Sequence, residues 1–149
     1  MFKKTKRSLF KKKKRFVPKI NFNLSVCDGK ITLDLPLQTV SEANCFEHWT
    51  KKHRRHNEQK VMISRFLSPH HDKIKFPCKV LLTRFAPDKL DEFENLPMSF
   101  KYVVDAVCAI ITQDFRPGRA DSDKRITLSC NQIESKEYGI RIEITFDLI

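Results

Sequence analysis

Apolar and polar residues alternate from Ile20 to Thr39: Ile20, Phe22 and Leu24, then Ile31, Leu33 and Leu35 beyond the turn signal Asp28-Gly29. A period of two places apolar side chains on one face of an extended chain, so this stretch predicts two strands joined by a short hairpin. Ser41, followed by Glu42-Ala43-Asn44, opens a stretch without Gly or Pro that predicts a helix to about Leu67, closed by Pro69. Phe76 to Phe85 is apolar and β-branched enough for a buried strand. Asn95-Leu96-Pro97 then starts a second helix, with Asn as cap and Pro in the first turn, where its missing N–H costs nothing. That helix, to about Thr112, is apolar on nearly every side through Met98, Phe100, Val103, Val104, Val107, Ile110 and Ile111, which predicts a central, buried element. Arg125 to Ile133 and Tyr138 to Phe146 read as two final strands. The order β-β-α-β-α-β-β predicts an α+β fold, a mixed sheet packed with two main helices, and no internal repeats are visible.

Charge changes this picture at one end only. Of the net +11, residues 1 to 19 carry ten Lys or Arg and no Asp or Glu, which leaves +1 for the rest. So dense a run of like charges repels itself, and it predicts a disordered basic arm over residues 1–18 whose partner is a polyanion, ahead of one domain over residues 19–149. With 149 residues, 40% hydrophobic residues and three Gly, the chain is long enough and apolar enough for an ordinary core. The five Cys, at 27, 45, 78, 108 and 130, form no C-x-x-C pair and suit reduced thiols, with Cys45 and Cys108 as small hydrophobes in helices. Lys11 to Arg15 interrupts any signal-like apolar run and no stretch approaches a membrane span, so a soluble, cytoplasmic protein is expected.

Candidate chemistry lies in three places. Lys51-Lys52-His53-Arg54-Arg55-His56-Asn57-Glu58-Gln59-Lys60 contains no apolar residue and five cations against one acid. It reads as a solvated helix or, with donors on all faces, as a phosphate-binding one in which Lys51, Lys52, Arg54, Arg55 and Lys60 meet DNA. His53 and His56 read as surface histidines. In Asp91-Glu92-Phe93-Glu94-Asn95-Leu96, an extended chain would turn Glu92 and Glu94 to one side, toward a hard cation of the Mg²⁺ type; the alternative is that these acids only favour a helix N-terminus. Lys101 and Asp105, four apart, make the one polar stripe on the second helix and either pair with each other or serve a site. Asp114 and Ala120-Asp121-Ser122-Asp123 place more acids in the loop before the fourth strand, with Arg116 and Arg119 available to phosphate or simply to solvent. No Ser-His-Asp or Cys-His arrangement and no Gly-rich phosphate loop is visible.

Four segments together resemble the RusA family of Holliday junction resolvases, especially its phage and prophage relatives. They are Asn44-Cys45-Phe46-Glu47-His48-Trp49 with the basic run after it; Glu92-Phe93-Glu94-Asn95-Leu96 leading to Lys101 and Asp105; Ala120-Asp121-Ser122-Asp123 before Arg125-Ile126-Thr127; and Glu137-Tyr138-Gly139-Ile140-Arg141-Ile142. The resemblance covers residues 30 to 146, and the basic arm lies outside it. It implies a homodimeric, Mg²⁺-dependent endodeoxyribonuclease, with Mn²⁺ as a substitute, that cuts branched DNA in recombination and repair and is nucleoid-associated. Carried over residue by residue, it implies Glu92, Glu94 and Asp121 as metal ligands and Lys101 as a catalytic cation. The chain departs from the family in having Glu where the acidic pair is Asp, and Pro97-Met98 where a Lys lies within one turn. The extra methylenes move the carboxylates outward, and Mg²⁺ demands near-ideal geometry. The same fold without turnover, a degenerate branched-DNA-binding module, is the alternative. A membrane-surface protein, with Phe2, Leu9, Phe10 and Phe16 interleaved among the cations of the arm, is a third expectation.

Overall fold

Leu33 and Leu35 are fully sealed from solvent and Ile31 is 1% exposed, while Ser25 and Cys27 on the neighbouring strand stay exposed. The alternation in the sequence is therefore the alternation of a sheet with one covered face. The structure, a computed structural model, describes residues 16–43 and 45–148. The expected basic arm lies, up to residue 15, outside the described residues; from Pro18 onward the chain is tied to the body, the Tyr138 N–H donating to the Pro18 carbonyl at 3.0 Å.

β1 (Asn23–Cys27) and β2 (Lys30–Leu35) form the predicted hairpin. Its turn needs Gly29, which has φ +76° and whose missing Cβ would stand 2.9 Å from the Phe146 carbonyl. β3 (Cys78–Ala86), β4 (Ile126–Glu134) and β5 (Gly139–Phe146) complete a five-stranded sheet in the order β1-β2-β5-β3-β4. β3 and β4 are parallel and the other neighbours antiparallel, so the sheet is mixed and the fold is α+β, as expected. A parallel pair needs a crossover, and the second helical region supplies it.

Two helical boundaries differ from the sequence reading. The first helix, α1 (Trp49–Leu67), starts eight residues later than Ser41. Side chains hold the chain ahead of it instead: His48 accepts the Thr50 N–H through Nδ1 as the cap, and Glu42 is drawn down onto the helix by cations. Cys45, expected in a helix, lies in this loop and donates to Glu47. The second helix is two: α2 (Asn95–Ser99) and α3 (Lys101–Thr112), with Phe100 between them at φ −99°, ψ 1° and 0% exposed. The break thus falls at a fully buried ring. The cap also differs, since Asn95 is the first helical residue and Asp91 Oδ1 accepts the Glu94 and Asn95 N–H groups at 2.8 and 3.2 Å.

Ile140, Ile142 and Ile144 of β5 and Val80 and Leu82 of β3 meet Ile63 and Leu67 of α1 and Val103 and Val107 of α3 in one continuous core. α3 is the buried central element that its all-round apolar pattern predicts. On the other face of the sheet Arg141 grips Asp34 at 2.7 and 3.2 Å, and Lys30 meets Glu143 at 2.8 Å. Among the described residues no helix is long and apolar enough to cross a membrane.

Candidate functional site

The basic face of α1 is only partly free. Arg55 donates from Nε and Nη2 to Glu42 at 3.0 to 3.2 Å and reaches Glu47 at 2.5 Å, with 16% of its side chain exposed. The hydrogen bonds from Arg55 and then from Cys45 hold the Glu47 carboxyl at a pKa of about 2. Glu42 also stands 3.8 Å from Lys52 and 3.4 Å from His56 Nε2. Arg55, expected among the DNA contacts, has its guanidinium paired within the protein. His56, expected at the surface, is only partly exposed. Its ring lies against Tyr102 of α3, and burial pushes its pKa down against the pull of Glu42. Lys51, His53, Arg54 and Lys60 remain exposed along the helix.

The acidic segment is a turn and not the extended strand that would align Glu92 with Glu94; Glu92, Phe93 and Glu94 are all exposed. The residue at work here is Asp91, whose carboxylate is stabilised by the Glu94 N–H and then by Asn95, so its pKa falls. Ser41 in turn donates to the Asn95 side chain.

Register explains why the three expected ligands do not assemble. Parallel pairing sets Cys78 opposite Ile126 and Ala86 opposite Glu134. The acidic turn follows Ala86 and Asp121 precedes Ile126, so they leave this strand pair at opposite ends. The turn is also tethered there: the Gln132 side chain exchanges hydrogen bonds with Leu90 N–H and carbonyl at 2.9 and 2.7 Å. Among the described residues no group of three or more His, Cys, Asp or Glu is placed to hold a metal.

Asp121 has another carboxylate for company. With Asp105, likewise exposed, it lines an open cavity of about 300 Å³ between α1, α3 and the 115–121 loop, which Lys60, His56, Tyr102 and Arg116 also line. Desolvation by the cavity walls raises the Asp105 pKa, Asp121 raises it further, and Lys101 one turn back lowers it. Arg116 is held by Asp114 at 2.9 and 2.7 Å, which brings the Asp114 carboxyl to a pKa of about 2 and leaves a guanidinium poised at the cavity edge. Arg119 is exposed on the same loop. Asp123 is used locally, bound by Arg125 at 3.0 and 2.8 Å. The sequence did carry a signal for Asp105, the lone polar stripe with Lys101 on an apolar helix, but the pairing with Asp121 depends on how the loop after α3 returns.

Compared with protein-family models and with curated proteins, the sequence finds no match in either.

Proposed function

We propose that the protein is a metal-dependent endodeoxyribonuclease acting on branched DNA of the Holliday junction type. The observation that carries this reading is the convergence of Asp105 and Asp121 on a small cavity rimmed by Lys60 and Arg116. Two carboxylates that repel each other beside cations suit a divalent ion together with a phosphate. The donor set fits Mg²⁺, which commonly takes one or two carboxylates and fills its shell with phosphate oxygens and water. Bound to Asp105 and Asp121, Mg²⁺ or Mn²⁺ would supply an activated water and neutralise charge on the phosphate. Lys60 and Arg116 position the phosphodiester from two sides, and Lys101 adds positive field from the next turn of α3. Exposed Lys51, Arg54 and Arg119 extend the cationic surface beyond the cavity. A two-fold homodimer would present two such sites to the two equivalent strands of a junction. In this reading the work is done on the nucleoid, and the acidic turn carrying Glu92 and Glu94 stands outside the chemistry.

A second reading, a branched-DNA-binding module without turnover, is favoured by the lack of a three-ligand group among the described residues. A synthetic four-way junction and its linear duplex, incubated with Mg²⁺, with Mn²⁺ and with chelator, separate the two. Metal-dependent symmetric nicking of the junction alone is the expected result. Salt-sensitive binding with no nicking at any metal concentration supports the module instead, and failure to bind either DNA overturns both.

A further inference from the structure

A wide opening lies on the other flank of α1. It is a groove of about 740 Å³ between that helix and the start of the sheet, and its lining is chiefly apolar. Phe22 and Phe66 form its floor with ring centroids 4.1 Å apart, and Arg65 sits 5.5 Å from the Phe66 ring centre. Trp49 stands in the groove wall 69% exposed, and Val61 is 66% exposed. Open aromatic and aliphatic faces gathered in one groove beside cations form a surface suited to a flat, anionic ligand.

Charge selects the occupant. Arg54, Arg65 and His53 share the groove with a single acid, Glu58. Arg54 and Glu58 also line the adjoining depression, where Lys19 and Lys51 add two more cations. Lys19, the last cation of the basic N-terminal run, lies beside this groove. Those cations repel the arm itself as an occupant and attract a polyanion. Open aromatic faces offer nothing to a duplex, whose base faces are already stacked, but they bind unpaired bases.

We infer that the groove holds an unpaired DNA strand, its bases stacked on Trp49 and the Phe22–Phe66 floor and its phosphates on Arg54 and Arg65. The inference rests on the nucleic-acid reading above and names the substrate feature that reading leaves open. Asn57 lines both this groove and the carboxylate cavity, so the two sites meet across one ridge of α1. A strand leaving the groove over Asn57 arrives at Lys60, Asp105 and Asp121. The unpaired bases exposed at a branch point are thereby held next to the phosphodiester to be cut.

Trp49 is the only Trp in the chain, so its fluorescence reports on the groove alone. Full-length protein is titrated with oligothymidylate, with the matching duplex and with a Phe-containing Asp/Glu-rich peptide. Saturable quenching by oligothymidylate, with the duplex and the peptide weaker, is expected. The exposed-surface variant Arg65→Glu should weaken that quenching about ten-fold or more with unchanged circular dichroism. Trp49→Ala, followed by anisotropy of a labelled oligonucleotide, should weaken binding roughly ten-fold, the loss of one base–ring stack. Quenching by the peptide in preference to the oligonucleotide overturns the proposal in favour of a protein partner. No quenching by either, or oligonucleotide binding indifferent to both substitutions, overturns it as well. Junction nicking without Trp49 quenching sinks the groove and leaves the nuclease standing; quenching without nicking does the reverse.

Discussion

The carboxylate of Glu42, whose side chain is 3% exposed, is held by three hydrogen bonds from the Arg55 guanidinium, thirteen residues away. This contact ties the loop ahead of α1 to the middle of the helix and removes one cation from the surface. A buried carboxylate tolerates that position because Lys52 and His56 also approach it. Removing one partner leaves the other poorly solvated and unpaired, so Arg55→Ala should lower stability by about 3 kcal/mol, read as a lower urea midpoint. An unchanged midpoint would mean that water replaces the pair without penalty.

His56 gives the fold a pH dependence. Burial against Tyr102 lowers its pKa, so the folded protein binds its proton less readily than the unfolded chain does. Its contribution to stability is present above the unfolded histidine value and is lost as pH falls through it, where the unfolded state takes up the proton. Chemical unfolding from neutral to mildly acid pH should show this decline, and His56→Gln should flatten it. A slope that survives the substitution would place the titration elsewhere.

Asp105 titrates in the opposite sense. With its carboxyl raised by desolvation and then by Asp121, ionising it opposes folding, and the penalty is absent in acid and complete above its folded pKa. A divalent cation bound at the cavity, as proposed, would relieve that penalty. Mg²⁺ should therefore raise the melting temperature at neutral pH and not in acid, and Asp105→Asn should abolish the rise while slightly stabilising the metal-free protein. If the variant responds to Mg²⁺ as the parent does, the cation binds somewhere else.

The separation of the two acidic segments makes a comparative prediction. Asp121→Asn and Asp105→Asn should each reduce junction nicking by at least a hundred-fold, whereas Glu92→Gln and Glu94→Gln should change it less than ten-fold, on the order expected for groups inside and outside a metal-assisted site. Single-turnover rates on a four-way junction at saturating protein distinguish them. Losses concentrated at Glu92 and Glu94 would return the site to the acidic turn.

Phe100 lies at the break between α2 and α3, fully buried in the core. Phe100→Ala should cost about 3 to 5 kcal/mol through lost burial and a residual cavity. Calorimetry gives the value, and a loss below about 1 kcal/mol would show that the two helices close over the space.

Local pattern alone was enough for the strands and for the buried second helical region. The alternation through Ile31, Leu33 and Leu35, the Asp28-Gly29 turn and the apolar run over Val103 to Ile111 each state their environment within a few residues, because burial on a strand or helix face is a periodic demand. The start of α1 was not legible, because it depends on His48 capping and on Glu42 meeting Arg55, contacts that no local period encodes. The break at Phe100 was hidden for a similar reason, since a buried ring and a helical ring look alike in sequence. At the site, the sequence marked Asp121 and the unusual stripe of Lys101 and Asp105, but assigned Asp121 to Glu92 and Glu94. Parallel register between β3 and β4 decided otherwise by sending the acidic turn and the Asp121 loop to opposite strand ends. Which acids share a cavity, and which of the six Lys and Arg on α1 stay exposed, are properties of long-range packing, and only the tertiary structure holds them.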